Sequence, residues 1–148
     1  MAKFQVSTSD ELTKAIDKLG AEAERIAIAM LDAAACPLQK RVVSECLKHK
    51  RTGEMAASVK KTKAKKVKAS AAYVVVVRPT GTTTRGINRY GQLYERKEPV
   101  RNMEIMAHME FGTVKQAPTP VLSTAVMDSE AECLEMMQKV YNAEVERL

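Results

Sequence analysis

The chain has no tryptophan and only two phenylalanines and four tyrosines among its 148 residues. Its interior must be filled by Ala, Val, Leu, Ile and nine methionines. Cysteine is equally sparse. Cys36, Cys46 and Cys133 make an odd count with no metal-type spacing, which excludes a disulfide framework and reads as small buried hydrophobes in a reduced compartment. No apolar run approaches the ~20 residues needed to cross a bilayer. The longest candidate, from Arg25 to Cys36, is interrupted by Arg25 and Asp32. The opening Met1-Ala2-Lys3-Phe4-Gln5 runs into polar residues, so no signal peptide is expected. Gly81 and Gly86 have the spacing of a phosphate loop but lack the Lys-Ser/Thr that follows one, and no GxGxxG occurs.

What is present is charge, unevenly placed. Residues 1–50 carry 8 basic and 7 acidic side chains, residues 51–100 carry 12 and 3, and residues 101–148 carry 4 and 8. The formal net charge of +6 is therefore a strongly basic middle offset by an acidic end. Such a segment fits a polyanion site, an electrostatic contact between copies, or an edge strand protected by lysine.

The length suits one domain over 1–148. Thr8-Ser9-Asp10-Glu11 has the spacing of a capping box and opens an amphipathic helix through Leu12, Ile16, Leu19, Ala23, Ile26 and Met30. Pro37 either kinks it or opens a second helix continuing through Leu38, Val42 and Cys46. The helix should end near His49-Lys50-Arg51, with Gly53 free to take a left-handed cap and Met55 to Val59 forming one more short turn. Lys60, Lys61, Lys63, Lys65, Lys66 and Lys68 fall on an exposed edge strand. After a turn at 69–72, Tyr73 to Val77 reads as a buried strand. Residues 80–102, broken by Gly81, Gly86, Asn88, Gly91 and Pro99, read as a long flexible basic loop. Met103 to Met109 resumes an apolar rhythm, and as a strand it would place His108 and Glu110 on one face, a possible acid–base pair. Thr119 and Pro120 open a last helix with a stripe through Leu122, Val126, Cys133, Met136, Val140 and Tyr141. Its acidic outer face comprises Asp128, Glu130, Glu132, Glu135, Glu144 and Glu146. The class is α+β, with N-terminal helices and a long C-terminal helix packed on one face of a small antiparallel β-sheet.

Two segments carry a family pattern. Arg51-Thr52-Gly53-Glu54-Met55-Ala56-Ala57-Ser58 follows the N-terminal helical region, and Glu110-Phe111-Gly112-Thr113 is followed by Ala117-Pro118-Thr119-Pro120 and the last helix. Together, in this order, they resemble the tail-component family of long-tailed bacteriophages, the tail-completion and head–tail joining (neck) proteins. Met55 stands where that family usually has Leu, and Val121 where an aromatic often follows the second proline. Ser123-Thr124 occupy the place of a further proline. On the residues alone, Gly53 suits a helix end, Ser58 a side-chain bond to the backbone of its turn, and Phe111 a core anchor beside the turn at Gly112. Glu110 is a candidate partner for Arg51.

The resemblance implies a structural virion protein of the tail or neck, made in the bacterial host cytoplasm and not an enzyme. It implies a ring of copies between the head connector and the tail tube or tail terminator. The basic segment, with Arg85 and Arg89, would then face a neighbouring copy or the DNA passage. No catalytic, metal or cofactor site is expected, and no membrane partner. The alternative is a cytoplasmic nucleic-acid-binding protein that uses the lysines together with Arg78, Arg85, Arg89, Tyr90 and Tyr94.

Overall fold

The structure, a computed structural model, describes residues 10–49, 52–68 and 72–147. Thr8, Ser9 and Arg51 lie outside the described residues, as do positions 69–71 of the expected turn. Helix α1 spans Asp10–Lys48 without interruption. Pro37 therefore neither ends it nor divides it. A proline removes the N–H that would bond the carbonyl four residues back, and side-chain donors gather on carbonyls around that gap. Lys61 Nζ donates to the Asp32 carbonyl at 3.1 Å, and Cys133 Sγ donates to that of Ala34 at 3.3 Å.

Helix α2, Glu54–Ala57, follows Gly53, whose φ of 81° is the left-handed conformation expected there. Two short strand pairs then make one irregular ribbon. Strand β1, Val59–Lys61, pairs with β4, Val77–Pro79, and β2, Lys65–Lys66, pairs with β3, Tyr73–Val74. Between them, 62–64 oppose only 75–76, so the register shifts by one residue. Thr62 holds the break by donating its N–H to the Val76 carbonyl at 2.8 Å and accepting the Val76 N–H on its hydroxyl at 3.0 Å.

The valine run is not buried as expected. Exposure alternates along it, with Val74 and Val76 open to solvent and Tyr73, Val75 and Val77 half-buried. A two-stranded ribbon covers only one face, so alternate residues stay wet.

The expected loop at 80–102 is also replaced. Strand β5, Thr82–Ile87, pairs antiparallel with β6, Leu93–Arg101. Gly86 takes no part as a breaker. It is the flat spot under the Tyr94 ring, where an added Cβ would lie 2.7 Å from the ring. Pro99, with no N–H to give, sits in a bulge where 96–99 oppose Thr84 alone. Asn88 closes the turn by accepting the N–H groups of Tyr90 and Gln92, each at 2.9 Å.

Helix α3, Asn102–Phe111, occupies the segment read as a strand. Its Met, Glu, Ala and Ile content favours helix once Gly112 supplies a stop. Helix α4, Val121–Val145, runs back along α1 in the antiparallel sense: Arg25 meets Glu144 at 2.5 Å at one end, and Val42 and Cys46 cluster with Val121 and Ala125 at the other. The core is built from Val42, Cys46, Ala56, Val59, Met106, Val121 and Ala125, with no aromatic ring among them. The α+β class holds. The helices pack chiefly on each other, and the sheet is divided into two-stranded pieces around them.

The stripe of α4 keeps Leu122, Cys133, Met136 and Val140, all half-buried, and differs from the expected one elsewhere. Val121, Ala125 and Ser129 are buried, whereas Val126 and Tyr141 are exposed. Glu144 leaves the acidic outer face and turns toward α1, held by Arg25 and by Arg147 at 3.2 Å.

Candidate assembly interface

The first motif fastens three elements together. The Thr52 hydroxyl accepts the Glu54 N–H at 3.4 Å at the mouth of α2. Ser58 Oγ donates to the Met55 carbonyl at 2.7 Å, the local bond the sequence suggested, and the Ser58 carbonyl accepts both the N–H and the hydroxyl of Thr80, at 3.0 and 2.9 Å. The Thr80 carbonyl in turn accepts the amide of Asn102 at 2.8 Å. Asn102, buried at the start of α3, completes this chain of bonds. Nothing in its sequence neighbourhood marks it.

The second motif is a corner. The Glu110 carboxylate accepts the N–H of Leu122 at 2.8 Å and that of Ser123 at 3.1 Å, and also takes the Ser123 hydroxyl. Pro120 offers α4 no side-chain cap, so a residue of the preceding helix supplies it. Burial alone would raise the Glu110 carboxyl. The bonds from Ser123, Leu122 and Val121 outweigh that and hold it below the usual carboxylate range. Glu110 and Arg51 are not described as partners, since Arg51 lies outside the described residues.

Gly112 has φ 75°, and a Cβ there would lie 2.8 Å from the Gln116 carbonyl oxygen and the Pro118 nitrogen. Thr113 and Gln116 exchange backbone bonds at 2.8 and 3.2 Å, and the Thr119 N–H reaches the Met109 carbonyl at 2.6 Å. Pro120 lends its carbonyl to the Thr124 hydroxyl at 2.6 Å. This bracing corrects the expectation for Phe111. It is 81% exposed, and Val114 on the same corner is fully exposed at 107%. The helical turn that buries Met106 and Glu110 points Phe111 outward.

The His108–Glu110 pairing that a strand would allow does not arise, because the segment is helical. Two residues apart on a helix they diverge by about 200°, and Glu110 is committed to α4. His108 and His49 instead line a cleft of about 510 Å³ between the end of α1, α2, the β5–β6 ribbon and α3, together with Arg85, Arg96 and Glu104. Cys46 borders it as well, but burial pushes its thiol up to about 11, so it stays protonated at neutral pH. Among the described residues no cluster of His, Cys, Asp and Glu is placed to hold a metal. No described helix is long and apolar enough to cross a membrane.

The basic residues do not gather at one spot. Lys60, Lys63, Lys65, Lys66 and Lys68 are exposed along the first ribbon, with Lys66 placed over the Tyr73 ring at 5.7 Å. Lys61, also exposed, reaches Asp32 on α1, at 3.7 Å from its carboxylate. Arg85 lies on the second ribbon beside Glu54 at 3.4 Å, and Arg89 stacks on Tyr90 at the ribbon's tip, 4.7 Å from the ring. Among the described residues, Lys60, Lys63, Lys65, Lys68 and Arg78 have no salt-bridge partner, and neither do Asp128, Glu130 and Glu132 on α4.

The described surface thus carries an apolar corner on braced backbone, and unpaired charge of opposite sign on separate elements. Residues 10–96 match the family described as "Bacteriophage HK97-gp10, putative tail-component". The chain belongs to this family of phage tail components. The match takes in the first motif, the basic ribbon and most of the second ribbon, and ends before the Glu110–Thr113 corner. No curated protein and no solved structure matches the chain.

Proposed function

We propose that this tail component completes the tail at the head–tail interface, its copies assembling as a ring between the head connector and the tail tube or tail terminator in the virion's neck. The role is structural and needs no catalysis. The observation that carries the reading is the corner at Phe111. One of only two phenylalanines is held out to solvent by a buried carboxylate cap and an obligate glycine, beside a fully exposed Val114. A large aromatic on a rigid bend is the kind of anchor that dominates protein interfaces. It gives a ring subunit a fixed point for a connector or tail-tube protein.

Electron microscopy of the protein mixed with tail tubes tests this. A terminal ring on the tubes is expected, lost on Phe111→Ser with the far-UV circular dichroism unchanged. Tubes that never acquire the protein would remove the head–tail role.

A second reading rests on the unpaired lysines of the first ribbon, which suit non-specific contact with DNA in the channel or with nucleic acid in the cytoplasm. It requires binding to duplex DNA that falls steeply with salt.

A further inference from the structure

Helix α4 has two apolar faces, and α1 uses only one of them. Val121, Ala125 and Ser129 are buried, and Cys133 reaches the Ala34 carbonyl. At about 100° per residue, Met127, Leu134 and Tyr141 return to the opposite side of the helix, with Val145 one further turn along. Their seven-residue spacing is that of a helix-packing seam. Met127 is 76% and Leu134 60% exposed, and Tyr141 and Val145 are open as well. Asp128 and Glu130 flank the stripe without salt-bridge partners among the described residues, while Glu135 is held by Lys139 at 2.6 Å.

The first ribbon presents the counterpart. Cross-strand partners project from the same side, so the pairs Lys60↔Arg78 and Lys65↔Val74 share its outer face. Val74 and Val76 are exposed there, among three cations that have no acidic partner of their own among the described residues. The ribbon's inner face rests on α1, where Gln39 Nε2 bonds the Val59 carbonyl at 3.1 Å and Lys61 bonds Asp32. Both surfaces are thus turned away from the shared helix and are open to a second copy. Their lengths agree: Met127 to Val145 extends ~27 Å at the helical rise, and 59–66 extends ~23 Å at the strand rise.

Charge decides which pairing forms. Stripe against stripe brings Asp128 and Glu130 onto their own copies, and ribbon against ribbon brings lysine onto lysine. Only stripe against ribbon matches apolar to apolar and acid to base. We propose that the outer stripe of α4 in one copy docks on the outer face of the first ribbon in the next. The contact is head-to-tail and leaves a free half on each partner, as a closed ring requires. This rests on the ring assembly proposed above and assigns its lateral contact.

The test uses the full chain in sedimentation velocity, with four variants checked for native circular dichroism. The triple variant K60E/K65E/R78E and the double variant D128K/E130K should each weaken self-association by about tenfold or more in Kd. The chain carrying both sets should recover it, because the charges are exchanged rather than lost. Leu134→Lys, at a solvent-facing position, should weaken association without lowering the melting temperature. Unchanged association in the single sets, no recovery in the combined chain, or a wild-type chain that stays monomeric throughout overturns the contact. Loss of duplex-DNA binding with association intact overturns it too, and assigns the lysines to nucleic acid.

Attachment to tail tubes is scored separately. Normal terminal rings formed by the charge-reversed chains overturn the lateral contact and leave the head–tail role standing. A combined chain that self-associates but never reaches the tubes overturns the head–tail role and leaves the contact standing.

Discussion

Glu110, in the last turn of α3, caps the first turn of α4 through the Ser123 N–H at 3.1 Å and the Leu122 N–H at 2.8 Å. The two helices are thereby joined by a charged group placed at the positive end of the second helix's dipole, where neither Pro120 nor Val121 offers an acceptor side chain. Replacing Glu110 with Ala should cost about 1–3 kcal/mol, the penalty of leaving buried donors unmet, measured by urea unfolding.

The pH dependence follows from the same carboxylate. Its folded-state pKa is lowered, so its stabilising contribution is fully present above the unfolded-state value and is lost as pH falls through the folded-state value. The stability gap between the wild type and Glu110→Gln should therefore be constant near neutrality and close progressively in acid. A gap that widened in acid would reverse the assigned sign.

Gly112 and Gly20 should respond in opposite ways to alanine. At Gly112 the left-handed φ and contacts of 2.8 Å to backbone atoms oppose any Cβ, and the substitution should destabilise by about 1–3 kcal/mol. Gly20 lies within α1 with nothing within 4 Å of an added Cβ, and Gly20→Ala should stabilise by up to about 1 kcal/mol. Paired thermal melts check both.

Phe111 and Met106 lie five residues apart on one helix and should separate stability from assembly. Met106 is fully buried, and Met106→Ala should cost about 2–5 kcal/mol. Phe111→Ser should leave the melting temperature within a degree or so of the wild type, as surface changes usually do, and abolish attachment to tail tubes.

The thiols should differ in reactivity. Cys36 is exposed, and Cys46 is buried with its thiol pushed up to about 11. Alkylation at mildly alkaline pH should modify Cys36 in the folded chain and reach Cys46 only after denaturant is added, as peptide mass mapping would show.

The sequence disclosed local chemistry better than it disclosed packing. The left-handed Gly53, the Ser58 bond inside its own turn and the long terminal helix follow from residue type and spacing within a few positions. Hydrophobicity alone places Phe111 in the core, and only the rotation of α3 around Met106 shows that it points outward. The ribbon at 82–101 was hidden by its breakers. Gly86 is covered by Tyr94 and Pro99 is tucked into a bulge, both long-range arrangements that no local rule reports. Asn102 is hidden for the same reason, since its partner Thr80 stands 22 residues away in sequence.

The Glu110 clamp also has a mechanical meaning. Helix α4 is 25 residues long, a rod of ~37 Å at the helical rise, and its base is fixed to the bend that carries Phe111. A partner pressing on that ring pushes on the end of a stiff lever braced along α1, not on a pliable loop. Displacement at the corner would be felt at the distant Arg25–Glu144 pair, as rigid-body tilt of the helix.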